Sequence, residues 1–329
     1  MEVSYVRFSK SKGALGFLSS AFLQMDFEER ISRMKNGARV FVTGGGGFIA
    51  PHLISAMPED WQVTLHERNP RRADRFPQRA GFRRISGSMQ EQDLLKEFER
   101  GVDVVIHLAG AVQGPSIEQI IDSNLVTTRD VLAAMEKSQV PKLVFMSTAS
   151  VWSDRSGRRL DETVEPNPST LYGYAKLAAE RLINGAVTQG RIESCVVLRC
   201  NNTYGPGCVQ GAVSSFIEQI RKSSLVRIFG DGKQLREPLY VTDLVDVILR
   251  SIDPSSGLHL FGISGPQALT ILEMAQIVAR TMGEELRVEW LEDNVDRVRH
   301  ITMDTGKAKR ELGWTPSVQF KEGIARTLR

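Results

Sequence analysis

Cysteine is scarce in this 329-residue sequence: Cys195, Cys200 and Cys208 are the only three, and no two form a C-x-x-C. An odd, small number without that spacing excludes a disulfide framework and points to buried thiols in a reducing compartment. The five histidines are scattered, with no H-E-x-x-H or similar spacing, so no metal site is expected. Neither sign of charge dominates. The formal net charge is +3, and no basic stretch interleaves with the few aromatics, so nucleic acid is not an expected partner. Long apolar runs are missing too. Gly13–Met25 follows Arg7, Lys10 and Lys12 and faintly mimics a signal peptide, but it is too short to span a bilayer. Repeats and low-complexity tracts are absent, and a chain of this length buries a large core.

What is present is glycine in one telling place. Arg39–Val42 is apolar and β-branched and reads as a buried strand; Phe48–Met57 reads as a helix, with Pro51 tolerated in its first turn. Between them Gly44 and Gly47 fill the first two positions of G-x-x-G-x-x-G/A, and Ala50 takes the third. Such a turn lets the backbone approach a pyrophosphate at the helix N-terminus, with Phe48 and Ile49 beside it. Glu67 ends the next strand, Trp61–Glu67, and a carboxylate there accepts hydrogen bonds from ribose hydroxyls, which favours NAD. Arg68, Arg71 and Arg72 leave NADP open, because guanidinium groups hold phosphates well.

Strands and helices then alternate. Phe82–Ser86, Val102–Leu108, Lys142–Ser147 and Glu193–Arg199 read as strands; Gln90–Arg100, a long Ile117–Ser138 and Leu171–Val187 read as helices. The alternation predicts an α/β, Rossmann-type doubly wound parallel sheet over residues 37–204. Residues 205–329 form a smaller, mainly substrate-binding lobe, with about 237–263 returning to the first domain. Helices are expected there at Val213–Lys222, Asp243–Ile252, Ile271–Met282 and Thr305–Leu312.

The last helix of the first domain carries Tyr172 and Lys176, four residues apart and therefore on one face. A neighbouring ammonium and a cationic nicotinamide ring would both favour the phenolate, making Tyr172 a proton carrier. Thr148, at the C-terminal end of its strand, faces the same crevice and can share a substrate proton with Tyr172; the plainer reading is that Ser147 and Thr148 cap the strand end.

At this point the chain, after residue 36, resembles the extended short-chain dehydrogenase/reductases, and within them the NAD-dependent epimerase/dehydratase branch. The resemblance rests on Thr43–Ala50, His107-Leu108-Ala109-Gly110, Thr148 with Tyr172-x-x-x-Lys176, and Asp161-Glu162-Thr163. Arg199–Pro206, Phe229–Glu237 and Glu311–Pro316 extend it to the C-terminus. It implies a Thr148/Tyr172/Lys176 catalytic set, with Lys176 also holding the nicotinamide ribose, and a cofactor lining of Leu108, Ala109, Gly110 and Cys200. It implies a structural hydrogen-bonding role for Asn124, and substrate diphosphate contacts from Asn202 and Arg236, with Arg299 as a third. Ser88, followed by Met89, stands where the family commonly places an adenine-binding Asp. Sugar dehydratases of the family follow the catalytic Thr with Asp-Glu, and decarboxylases carry a Glu; here Ala149 and Ser150 take those places. Pro238 and Cys200 replace residues common in the UDP-galactose epimerases.

The resemblance therefore implies a nucleotide-sugar 4-epimerase using NAD, with a ketoreductase or dehydrogenase as the alternative and a non-catalytic cofactor sensor as a third reading. Ile117–Ser138 and Leu171–Val187 match the helices that pair in the family's homodimers. A cytoplasmic enzyme with no membrane partner is expected, since export would cost it its cofactor supply. Residues 1–36 then read as an extension from an upstream start codon or as a helix packed on the body.

Overall fold

The computed structural model describes residues 37–68, 76–112, 116–152, 158–292 and 300–329. The extension at 1–36 and the candidates Arg71, Arg72 and Arg299 lie outside the described residues. The first half runs β1 (Arg39–Thr43), α1 (Ile49–Ala56), β2 (Gln62–Glu67), β3 (Phe82–Ser86), α2 (Glu91–Phe98), β4 (Val104–His107), α3 (Ile117–Ile121), a π-turn (Asp122–Val126), α4 (Thr127–Lys137), β5 (Lys142–Thr148), α5 (Leu171–Thr188) and β6 (Ser194–Cys200). The second half runs β7 (Thr203–Tyr204), α6 (Gly211–Ser223), β8 (Leu225–Phe229), β9 (Leu235–Arg236), β10 (Leu239–Tyr240), α7 (Val241–Arg250), β11 (Gly257–Ile263), β12 (Leu269–Thr270), α8 (Ile271–Met282), β13 (Arg287–Leu291), β14 (His300–Ile301), α9 (Gly306–Leu312) and α10 (Phe320–Thr327).

Seven strands form one sheet in the order β11-β6-β5-β4-β1-β2-β3, every neighbouring pair parallel. Chain order reverses between β1 and β4, which opens a crevice at the strand C-termini, where Thr43 and His107 lie opposite one another. In the central strands β1, β4, β5 and β6 side chains alternate between two covered faces, which is why these strands are apolar through most of their length. Val40, Val42 and Ile106 pack toward α1 and α7, whereas Phe41, Val105 and Phe145 pack toward α2, α4 and α5. The second lobe has its own core, built by α6, α8, β8 and α10 around Phe216, Ile228 and Met274. α8 starts with a capping box between Thr270 and Glu273.

Ile117–Ser138 is not one continuous α-helix, in contrast to the expectation from sequence. It widens into the π-turn, where the Thr127 and Thr128 hydroxyls donate back to the carbonyls of Ser123 (2.9 Å) and Asn124 (2.7 Å). Hydroxyls that bond back into the preceding turn compete with the regular ladder and distort it.

Candidate functional site

The glycine turn is wedged between the ends of β2 and β4. Gly45 N–H donates to the His66 carbonyl, and Gly47 N–H closes the turn on the Gly44 carbonyl, each at 2.9 Å. Gly44 has φ +83°, and a Cβ there would lie 2.8 Å from the Ala109 nitrogen, so only glycine lets the two backbones meet. Above Gly46 a Cβ would meet nothing within 4 Å, so the turn faces open space. α1 begins at once, with no side-chain cap on its first N–H groups. Phe48 points away from the Rossmann core and packs on the second lobe, whereas Ile49 and Leu108 pack on the core.

A hydrogen-bond chain fixes this corner. Ala109 N–H donates to Thr43 Oγ1 (3.1 Å), which lies 2.7 Å from His107 Nδ1; His107 Nε2 lies 3.1 Å from Thr128 Oγ1. Because the Thr128 hydroxyl already donates to the Asn124 carbonyl, His107 must donate from Nε2 and accept at Nδ1. Burial, with the Lys176 charge adding to it, holds His107 down at about 3, so it is neutral. In the sequence His107 stands out only as part of a motif; its partners are not readable there, since each comes from a different element.

Thr148 ends β5 directly opposite Cys200 on β6. Its Oγ1 accepts the Ser150 N–H at 3.1 Å and also hydrogen-bonds Tyr172, so it both caps the turn and meets the phenol. Lys176 is buried, donates to the Met146 carbonyl at 2.9 Å, and lies 4.7 Å from the Phe145 ring centroid. At Gly110 a Cβ would stand 3.1 Å from the Lys176 Nζ and 2.6 Å from Asn124 Oδ1. That amide oxygen is buried with no partner among the described residues, while the Asn124 Nδ2 donates to the carbonyls of Ala111 and Ile120. Thr148, Tyr172, Lys176, Gly110 and Cys200 therefore share one corner.

Electrostatically this corner differs from the expectation. Burial pushes Tyr172 up to about 12, the Thr148 hydrogen bond only partly opposing it, and Lys176 does not lower it. Burial brings Lys176 itself down to about 8, with Glu180 opposing. Two groups sharing a desolvated corner each lose charge before they can stabilise one another. Burial also raises the Cys200 thiol.

Sequence reasoning missed Gly173. A Cβ there would run into the Ser150 carbonyl oxygen and lie 2.9 Å from Pro168 Cβ. This contact lets the first turn of α5 lie against the turn after β5 and brings Tyr172 to Thr148. A glycine inside an apolar helix, between two tyrosines, was the available signal. Glu180 and Arg199 were also overlooked as a pair. Arg199 Nη2 donates to Glu180 Oε2 at 2.7 Å, Ser147 donates to Oε1, and the Arg199 guanidinium stacks 4.5 Å from the Trp152 ring.

At the other end of the crevice Glu67 is buried and paired with Arg84, while Arg68 is exposed. Ser88 turns its hydroxyl to Asp93 Oδ2 (2.6 Å), and Met89 packs on the core beneath. On the lobe side, Asn202 is exposed, and its carbonyl accepts the Leu239 N–H at 2.9 Å. That bond draws the β9–β10 segment, with Arg236, toward the end of β6; Arg236 Nη1 donates to the Leu235 carbonyl at 2.7 Å. A cavity of about 490 Å³ lined by Phe76, Arg79, Phe82 and Arg84 lies at the sheet edge, and Thr148, Tyr172 and Lys176 take no part in it. Among the described residues no cluster of His, Cys, Asp or Glu could hold a metal, and no helix is long and apolar enough to cross a membrane.

Comparison with known proteins bears on this geometry. Residues 40–260 match the model of the NAD dependent epimerase/dehydratase family. A putative UDP-glucose 4-epimerase from Methanocaldococcus jannaschii is 28% identical over 301 residues, covering 88% of this chain and 97% of the relative. The human dTDP-D-glucose 4,6-dehydratase is 26% identical, covering 88% and 89%. The solved structure of MoeE5 in complex with UDP-glucuronic acid and NAD superposes with a TM-score of 0.80 at 27% identity, covering 88% of this chain and 98% of that one.

Proposed function

The chain belongs to the NAD dependent epimerase/dehydratase family, and from that premise we propose that it is a nucleotide-sugar 4-epimerase. The observation that carries this reading lies in the two residues after Thr148. Ala149 is buried in an apolar cluster with Val151, Trp152, Leu160 and Met303, and Ser150 spends its N–H on Thr148. No carboxylate is available there to supply the acid and base that water elimination or decarboxylation needs. What remains is a hydroxyl, a phenol and an ammonium, a set suited to oxidising and re-reducing a carbinol.

The close approach of Gly44 to Leu108 and Ala109, and the open space over Gly46, fit a dinucleotide. Its pyrophosphate would lie on the Gly44–Ile49 turn, its adenosine ribose at Glu67, and its nicotinamide ribose at Lys176, with Ala109, Gly110 and Cys200 alongside. When bound, NAD supplies a hydride acceptor and a positively charged ring. Tyr172, as the phenolate that the positively charged nicotinamide ring would favour, takes the proton of the sugar 4-hydroxyl and becomes the neutral phenol, and Thr148 orients that hydroxyl by hydrogen bonding. Tyr172 returns the proton once the 4-keto sugar has presented its other face. Asn202 and Arg236, with Arg299, would grip the diphosphate.

The test is a panel of UDP-, GDP- and dTDP-sugars, with sugar products and reduced-nicotinamide absorbance measured together. Epimers with no net change in cofactor are the expected result. Sustained net turnover of free cofactor makes the protein a dehydrogenase or ketoreductase instead, and a 4-keto-6-deoxy product sinks the argument from Ala149. A cytoplasmic homodimer paired through α3–α4 and α5 is part of the proposal. Ile117, Leu171, Tyr174 and Leu182 leave large apolar side chains exposed on those helices. A monomer in sedimentation at micromolar concentration counts against it.

A further inference from the structure

The Glu67–Arg84 pair carries an inference that rests on the dinucleotide reading of the glycine turn. Glu67 lies beneath that turn, where a Cβ on Gly45 would be 3.2 Å from its own Cβ. Its side chain is only 3% exposed. Arg84 sits opposite Leu65 in the β2–β3 register, so it shares a face with Leu65 and reaches Glu67 along the cross-strand diagonal. Arg84 Nε donates to Glu67 Oε1 at 2.7 Å, and Nη2 donates to the same oxygen. Oε2 accepts from none of the described residues. The guanidinium is stacked 5.1 Å from the Phe76 ring centroid, which fixes it on that side.

This arrangement alters what an acidic residue at the end of β2 means. A bare carboxylate welcomes a ribose diol and repels a 2′-phosphate. Here the carboxylate is half engaged and its charge is cancelled, while Arg68 stands exposed next to it. We propose that Arg84 is the residue that sets dinucleotide preference: by neutralising Glu67 it opens the adenosine-ribose end of the site to the 2′-phosphate of NADP as well as to the diol of NAD. Oε2, which accepts from none of the described residues, can still accept a ribose hydroxyl, and the guanidinium would offer a phosphate the opposite charge. The loop arginines suggested by sequence are not needed for this; the arginine that reaches the carboxylate comes from the neighbouring strand.

The experiment titrates NAD and NADP separately, without sugar, into the wild-type protein, Arg84→Met and Glu67→Gln, by calorimetry. Wild type is expected to bind both within about tenfold of one another, and Arg84→Met to weaken NADP by about tenfold or more while NAD changes less than about threefold. Glu67→Gln should shift the ratio toward NADP. Equal weakening of both dinucleotides in Arg84→Met marks the pair as merely structural and overturns the proposal, as does a wild type that binds NAD alone. If Arg84→Met does not fold, an unchanged ratio in Glu67→Gln overturns it by itself. A protein that binds neither dinucleotide overturns both this inference and the reading it rests on. Failure of the sugar panel leaves the NAD:NADP ratio fully readable.

Discussion

Acid should unfold this protein earlier than its surface charges require, and His107 is the reason. The ring is completely buried, with Thr43 on one nitrogen and Thr128 on the other. Its folded-state pKa falls from 6.5 to about 3, through burial first and the Lys176 charge second. The unfolded chain therefore binds a proton near pH 6.5 that the folded chain refuses until about pH 3. Stability is intact above the unfolded value and is lost as pH falls through that window. Linkage puts the loss at about 2 kcal/mol by about pH 5 and about 3 kcal/mol by about pH 4, relative to neutral pH. Urea unfolding of wild type and His107→Gln at a neutral and an acidic pH isolates this share. The variant loses hydrogen bonds and should be less stable by roughly 1–3 kcal/mol near neutrality. Its acid slope should nevertheless be shallower, so that the gap between the two proteins narrows by about 2 kcal/mol at about pH 5. A gap that stays constant within about 0.5 kcal/mol would refute the claim that His107 is held neutral, since linkage then assigns it no proton uptake.

Three more outcomes are expected from the same corner. Tyr172→Phe should lower kcat by about 10²–10⁴-fold while NAD affinity measured by titration holds, because on the proposed mechanism the phenol moves a proton and the turn at Gly44 holds the dinucleotide; unchanged turnover would remove Tyr172 from the mechanism. Lys176→Met should be inactive and yet raise stability near neutral pH by about 3 kcal/mol in urea melts, since the ammonium is buried at a cost that the fall of its pKa from 10.5 to about 8 measures. That gain should shrink as pH rises from 8 toward 10.5, and a destabilised variant would contradict it. Gly173→Ala should cost about 1–3 kcal/mol and most of the activity, because its Cβ forces α5 away from the Ser150 carbonyl; normal kinetics would show that the helix can move without losing Tyr172.

The parts of the fold legible in the sequence are those set by local pattern. Phe82–Ser86 and Ile271–Met282 have the bounds their periodicity implies, and the glycine turn is legible because its strand, glycines and helix are contiguous. What stayed hidden depends on distant partners. The π-turn at Asp122–Val126 arises from threonine hydroxyls that look unremarkable in a helical pattern. β11 is rich in glycine and becomes a strand by pairing along β6. α10 has few apolar residues and folds against Tyr204, whose ring lies 5.2 Å from that of Phe320 and would collide with a Cβ on Gly323. The same holds at the candidate site. Tyr172 and Lys176 are readable as a spacing, but the rise of the phenol and the fall of the ammonium come from burial, which spacing does not encode.

Tyr172, Lys176 and Glu180 recur at four-residue intervals along one face of α5, and the third of them bears on the role proposed for the second. Desolvation alone drives Lys176 toward the neutral amine, which could neither favour a phenolate nor hold a ribose as an ammonium. Glu180 opposes that drift, one helical turn further along. Arg199 pairs with that carboxylate from β6, with the Ser147 hydroxyl on the other side and the guanidinium laid on Trp152. The ion pair is nearly inaccessible, at 5% and 8% exposure, and Arg199 Nη1 has no partner among the described residues. For stability alone, well-packed apolar residues would serve as well or better in such a position. On the proposed mechanism its use is to keep a carboxylate one helical turn from Lys176, where it opposes the desolvation that draws the amine's pKa down to about 8 and so favours the protonated form that would hold a ribose.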